Sequence, residues 1–318
     1  MKYLSFGGFR KLESVDRAEF PLTSPYKEHS LAALRRIRSV CAQSWSDPGF
    51  GAAGRDAYHA ATRGQLPKGL SGDMIVLSCD SGYFDTFAKY MIFSHKRLSE
   101  AAHIHLHLTL PTPKAKAELA AIQDALGAQA FSCSVAESDL YQVLRYPNVY
   151  LTCARFIHSQ RLMAQNAGRF IHLDVDGVFR APIAGFIDTH LADADMLLIR
   201  RRHKLKPSRK VLASALVVAD TALGRRFADA YSRALVALLA EGPQYHIDQT
   251  AMHYVLKAAE KEGLKARDMG LDLADHDFRK SALIWSAKGR KRKASPEFQS
   301  LLNDARTYYE RCMAGRSD

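Results

Sequence analysis

Residues Phe170–Phe179 have the sequence FIHLDVDGVF. A short apolar run, Phe170 to Leu173, ends in two aspartates one residue apart, Asp174 and Asp176, and Gly168 and Gly177 bound it. An apolar run of this length between turn signals predicts a buried strand of an α/β sheet. Ligands of open α/β sheets collect at the carboxyl ends of such strands. Alternation places both carboxylates on one side if the chain stays extended. Two carboxylates that close repel each other unless something positive lies between them. A hard divalent cation, Mg2+ or Mn2+, shared with the phosphates of a substrate, is the usual solution. The same residues also read as two solvated turn aspartates, since Asp and Gly are common where strands end.

Upstream, the pattern repeats. Met74–Cys79 (MIVLSC) is a buried-strand run that ends at Asp80, Ser81, Gly82 and Tyr83, and helical periodicity follows to Leu98. Ile104–Leu110 alternates apolar residues with His105, His107 and Thr109, which reads as a half-buried strand. His103, His105 and His107 then form its polar face, since a metal site needs ligands from several elements. A helix over 114–126, a weaker strand over 129–135 and a helix over 150–166 lead into Phe170. The order βαβαβαβ predicts a mainly parallel sheet with helices on both faces, a Rossmann-like α/β architecture. Downstream, strands are expected at 194–199 and 211–219, a long helix at 221–239, another from His246 or Asp248, a short strand near 282–285 and a C-terminal helix from Pro296. Glu28–Trp45 has the spacing of an amphipathic helix. The chain therefore divides into a helical N-terminal appendage (1–70), a catalytic α/β domain (71–295) and a C-terminal helix (296–318).

The 318 residues carry a net charge of +12, concentrated in two places. Arg200–Lys210 and Arg279–Lys293 each hold seven Lys/Arg and no acid; without these fourteen the chain has 31 basic and 33 acidic residues. Two basic clusters on a balanced body imply local attraction for anions: a pyrophosphate, a nucleic acid or an anionic membrane surface. They also read simply as two solvated loops. The five cysteines are odd in number and lack CxxC spacing, which argues against a disulfide framework and a zinc site. Cys79 and Cys153 read as core residues. No apolar run is long enough to span a bilayer, and the start is not of signal-peptide type, so the expected location is the cytoplasm.

Four segments in order resemble the GT-A nucleotide-sugar glycosyltransferases, most closely the glycosyltransferase family eight group. These are Leu77–Tyr83 with Ser94 beyond it, Arg155 in YLTCARFIHSQ, Asp174 and Asp176 in HLDVDGVF, and Asp248-Gln249 in YHIDQTAMHYVL. The likeness covers roughly residues 73 to 293. It implies a GT-A-like fold and a hexosyltransferase that moves a sugar from a nucleotide-sugar donor, UDP-linked by preference, to a carbohydrate or lipid-linked acceptor. It further implies Mn2+ or Mg2+ on Asp174 and Asp176, and donor contacts from Ser78, Cys79, Asp80, Tyr83, Arg155, Val175, Lys288, Gly289, Lys291 and Arg292. Asp248 and Gln249 would face the sugar or acceptor. Two departures stand out. Ala213-Ser214-Ala215 replaces the Asn-Ser-Gly or Asn-Ala-Gly of relatives, and Ser286 stands where the relatives' H-x-x-G-x-x-K pattern supplies a third metal ligand. Metal binding would then be weaker, recruit His246 or His276 instead, or be absent.

Negative charge grows on the leaving diphosphate during glycosyl transfer, so catalysis needs positive charge placed there. Lys288, Lys291, Arg292 and Arg155 are the expected sources beside the metal. Arg200–Lys210 would close over bound donor or hold a phosphate-bearing acceptor at a membrane. Asp80 and Asp248 read equally well as helix-start carboxylates. DVDGV also resembles the first motif of haloacid-dehalogenase-like phosphatases, with Asp174 as nucleophile and Asp176 as general acid. However, four candidate strands precede it and no late Asp pair completes that site. A non-catalytic nucleotide-sugar binder is a third reading. Nucleic acid is the less favoured partner, because Trp285 is the sole aromatic near the clusters that could stack on a base.

Overall fold

The computed structural model describes residues 3–6, 9–12, 29–64, 66–99, 101–137, 147–241 and 246–315. Most of the first 28 residues of the expected appendage therefore lie outside the described residues. Strands are β1 (Tyr3–Phe6), β2 (Phe9–Leu12), β3 (Thr62–Arg63), β4 (Met74–Asp80), β5 (His103–Thr109), β6 (Phe131–Ala136), β7 (Phe170–Leu173), β8 (Gly177–Phe179), β9 (Met196–Arg200), β10 (Val211–Val218), β11 (Ala266–Asp268), β12 (Ala274–Asp275) and β13 (Ile284–Ser286). Helices are α1 (Leu31–Ser46), α2 (Ala52–Ala60), α3 (Ser81–Tyr83) continuing through a π turn (Phe84–Ala88) into α4 (Lys89–Arg97), α5 (Pro113–Leu126), α6 (Pro147–Met163), α7 (Ala184–Leu191), α8 (Pro207–Lys210), α9 (Ala222–Ala240), α10 (Ile247–Lys261), α11 (Gly289–Lys293) and α12 (Pro296–Ala314).

Eight strands form one sheet in the order β11-β9-β10-β7-β4-β5-β6-β3. The middle four, β7, β4, β5 and β6, run parallel. β10 lies antiparallel to β7 and β9, and β3 antiparallel to β6. The α/β expectation holds; the sheet expected to be mainly parallel is mixed, with its parallel strands in the middle. Strand alternation builds two cores. Met74 and Val76 of β4 face the core shared with α1, α6, α9 and α10, while Ile75, Leu77 and Cys79 face the one shared with α4, α5 and α7. The expected N-terminal helix is present as α1. It is packed into that first core, to which it contributes Ile37, Val40, Cys41 and Trp45. Gly168 enters β7 at φ +107°, and a Cβ there would lie 2.0 Å from the Gly72 carbonyl oxygen, so only glycine fits.

β5 departs from its expected half-buried character: all seven residues are buried. Ile104, Leu106 and Leu108 fill one core, and the three histidines are covered on the other face. There they form an unbroken hydrogen-bonded ladder with β6 and α6. His103 bonds the Gln129 carbonyl (2.9 Å) and the Ser132 hydroxyl (2.7 Å). His105 joins Ser132 (2.8 Å) to Ser134 (3.0 Å), and His107 joins Ser134 (2.9 Å) to His158 (3.1 Å). The reading of these residues as an exposed polar face is thus corrected. They are polar, but an opposing row of hydroxyls lets them be buried.

Candidate functional site

The strand β7 stops at Leu173, and β8, which begins at Gly177, belongs to a separate three-stranded sheet of order β12-β13-β8. Asp174 and Asp176 therefore sit where the chain leaves the main sheet, not on an extended strand. The Asp174 amide donates to the Ser214 carbonyl of β10 (3.0 Å). β13 pairs antiparallel with β8 and sets Ser286 opposite Gly177. Ala287 donates its amide to the Asp176 carbonyl (2.9 Å), and the Ser286 hydroxyl donates to the Asp176 carboxylate (3.3 Å). The late motif found in the sequence is thus held beside Asp176 by strand pairing.

Both carboxylates have cationic partners from the protein. Arg155, on α6, is buried and pairs with Asp174 at 2.8 Å while donating to the Ala213 carbonyl at 2.6 Å. Lys293, at the end of α11, pairs with Asp176 at 3.0 Å. Its ammonium also donates to the Tyr83 hydroxyl (2.9 Å) and lies over the Tyr83 and Phe87 rings at 4.3 and 4.6 Å. Burial opposes the charge on Lys293, but Asp176 and Tyr83 outweigh it and raise its pKa. Gly289, at φ +80°, makes the turn from β13 into α11 that delivers this lysine.

Other expected residues fall into place around this centre. Asp80 ends β4 and caps α3, accepting from the Tyr83 amide (2.8 Å), so the capping role read for it is real. Tyr83 is 41 % exposed beside it. Asp248 and Gln249 open α10, and both are buried. Burial raises the Asp248 pKa, opposed by the Gln249 amide and the charge of Arg155. Gln249 bonds His246 (2.7 Å), and its side-chain oxygen is buried with no hydrogen-bond partner among the described residues. The Ser214 hydroxyl and His276 Nε2 are buried without partners in the same sense. Burial and Lys288 lower the His276 pKa against the pull of Asp174 and Asp176. Such orphaned polar atoms are what a polar ligand would satisfy.

Some expectations move. Ser78 and Cys79 are buried in β4, where Ser78 donates weakly to the Leu151 carbonyl (3.4 Å) and burial pushes the Cys79 thiol up. Their side chains belong to the sheet interior. Val175 is buried in the core between the two aspartates. Lys288 and Lys291 are exposed, and Arg292 is ion-paired with Asp277. The sequence reading missed Lys293. Its only sequence signal was membership of the basic run, and four neighbouring cations shared that signal. Ser94 joins α4 to β8 by accepting from the Phe179 amide (3.0 Å).

A divalent cation is a poor fit to these groups. The Asp174 and Asp176 carboxylates already engage Arg155 and Lys293, Ser286 offers only a hydroxyl, and no three His, Cys, Asp or Glu side chains converge among the described residues. None of the described helices is long and apolar enough to cross a membrane.

No protein-family model matches the chain, and no curated protein sequence matches it. Solved structures do. The fold is similar to that of the bifunctional glycosyltransferase WbbM (TM-score 0.52, 12 % identity, over 78 % of this chain and 52 % of that one). It is similar also to the glycosyltransferase GlyE of Streptococcus pneumoniae TIGR4 (TM-score 0.53, 10 % identity, over 77 % of this chain and 63 % of that one). The chain thus spans about half of the first protein and under two thirds of the second. At these identities the likeness is one of fold: the eight-stranded sheet and its helices are those of the GT-A glycosyltransferase architecture.

Proposed function

We propose that this chain is a glycosyltransferase that moves a hexosyl group from a nucleoside-diphosphate donor, UDP-linked by preference, to an acceptor hydroxyl. One observation carries the reading. Within a sheet shared with glycosyltransferases, the end of β4 (Asp80, Tyr83), the Asp174–Asp176 turn and the basic segment after β13 meet through a single residue, Lys293. The nucleoside would lie against Asp80 and Tyr83, and the diphosphate beside Asp176. Leaving-group charge would meet Lys293, a cation fixed before the reaction begins, with the exposed Lys288 nearby in the same basic segment. Arg155 is too buried to reach a phosphate freely; it would set the position of Asp174. Asp248 and Gln249, close enough to Arg155 and Asp174 to feel their charge, would face the sugar and acceptor, with Asp248 a candidate proton acceptor.

The first basic cluster suits an acidic or lipid-linked carbohydrate acceptor. A cleft of about 340 Å³ lies between it and α10, lined by Arg200, Arg202, Lys210, His253, Lys257 and Glu260. Burial and the charges of Lys210, Lys257 and Arg200 push the His253 pKa down to about 4, a mark of positive potential. In this reading the cleft supplies the peripheral contact with an anionic membrane surface.

A thermal-shift panel of nucleoside diphosphates and nucleotide sugars tests the function, because a ligand that binds only the folded chain raises its melting temperature. One diphosphate series is expected to stabilise the wild type and to lose most of that effect in Asp174→Ala. A flat response across the whole panel would count against glycosyl transfer.

A further inference from the structure

Two carboxylates and a divalent ion carry no net charge together. Asp174, Asp176, Arg155 and Lys293 already reach the same balance from protein groups alone. Arg155 is locked: its side chain is 4 % exposed and its guanidinium is shared between Asp174 and the Ala213 carbonyl. Lys293 is held from three sides, by Asp176, by the Tyr83 hydroxyl and by two aromatic faces. The second Asp176 oxygen takes the Ser286 hydroxyl, from the position that strand pairing sets opposite Gly177. A divalent ion entering here would displace an ammonium, find a hydroxyl where a third strong ligand is needed, and add charge to a balanced cluster. An ammonium has three N–H donors. Asp176 and Tyr83 take two, which leaves one for an arriving oxygen anion.

We propose that Lys293 is the resident cation of the donor site, and that its ammonium meets the donor diphosphate in place of a divalent metal, so that donor binding is independent of metal. This rests on the donor-site reading above and deepens it. Ser286 and Lys293 act together on Asp176, one as a hydroxyl donor and the other as a fixed positive charge. Tyr83 couples the two halves of the donor, since the group expected beside the nucleoside also fixes the cation beside the phosphates.

Isothermal titration of UDP and the other nucleoside diphosphates, in EDTA and in Mn2+, tests this on wild type, Lys293→Gln and Lys293→Arg. The expected result is wild-type affinity equal within about threefold in the two conditions, a loss of tenfold or more in Lys293→Gln, and recovery in Lys293→Arg, which keeps the charge. Melting curves confirm that each variant is folded. Wild-type binding that requires Mn2+, or an undiminished Lys293→Gln, overturns the proposal. If no nucleoside diphosphate binds in either condition, the donor-site reading fails by itself. The cation claim is then decided by Mn2+ alone, followed by electron paramagnetic resonance. The double variant Lys293→Ala/Ser286→His is expected to bind Mn2+ at least tenfold more tightly than wild type, and equal affinities would overturn the inference.

Discussion

Two regions of the molecule bury polar side chains by opposite means. On one face of β5, His103, His105 and His107 run alongside Ser132 and Ser134 to His158 as a neutral hydrogen-bonded ladder. At the end of β7, Asp174 and Asp176 are each paired with a cationic side chain. In the ladder, burial keeps the imidazoles neutral: His107 and the nearby His59 and His172 are pushed down to about 3, and His105 and His158 also lie well below their ordinary value. A neutral bond is worth only ~1 kcal/mol net but adds no charge to the interior. A buried ion pair is costly to assemble and costlier to break. The chain accepts that cost beside the candidate site, where a charged ligand would be met, and avoids it on the opposite side of β4.

The two regions respond differently to acid and to substitution. Acid should separate the regions most. Five imidazoles (His59, His105, His107, His158 and His172) have folded pKa values below the unfolded 6.5, so the unfolded chain binds more protons than the folded one as pH falls. Their stabilisation is complete above pH 6.5 and lost below it, at roughly 1 kcal/mol each over the first pH unit and on the order of 5 kcal/mol together. Urea midpoints measured between pH 7.5 and 5.5 check this; a flat profile would mean that these imidazoles are already charged or open to water. Asp248 has the opposite sign. Its folded pKa is raised, so its contribution is fully present below the unfolded value and is lost as pH rises through the folded one.

Arg155→Met should come next. It strands the Asp174 carboxylate against the protein, and the usual cost of breaking such a pair is about 3–5 kcal/mol. Denaturant unfolding measures it, and the double variant Arg155→Met/Asp174→Asn should recover much of the loss. Ser134→Ala removes a hydroxyl that His105 and His107 share, for roughly 1–3 kcal/mol, without altering nucleotide-induced thermal shifts. The smallest effect is expected at the exposed Arg36–Glu241 pair, where Arg36→Ala should change stability by less than about 1 kcal/mol.

The ladder also has a fixed polarity that nuclear magnetic resonance can read. The Gln129 carbonyl can only accept, so His103 carries its proton on Nδ1, and each hydroxyl passes the direction on. His105 and His107 then also carry Nδ1 protons, and His158 donates from Nε2. Nitrogen chemical shifts that place the proton on Nε2 of His105 would break the chain at that point.

Much of this was legible in the residue pattern because the signals were local. The apolar runs at 74–79 and 170–173, the Thr221 cap and the Asp248-Gln249 helix start name elements whose causes lie within a few residues of each other. The histidines of β5 were misread for the opposite reason. Alternation shows that a strand has two faces, but whether the second face meets water depends on α6 and β6, which come from distant parts of the chain. Among the five basic residues Lys288, Arg290, Lys291, Arg292 and Lys293, spacing alone cannot choose the one that enters the site. The turn at Gly289 and one round of helix decide it, by turning Arg292 toward Asp277 and Lys293 toward Asp176.

From the sequence alone come the α/β architecture and the position of two aspartates at a strand end. These follow from periodicity and turn chemistry, both short-range properties. Tertiary structure alone decided what neutralises those aspartates. Arg155 and Lys293 lie on separate helices far from them in the chain, and an ion pair is a matter of distance in space, which only the packed sheet brings down to about 3 Å.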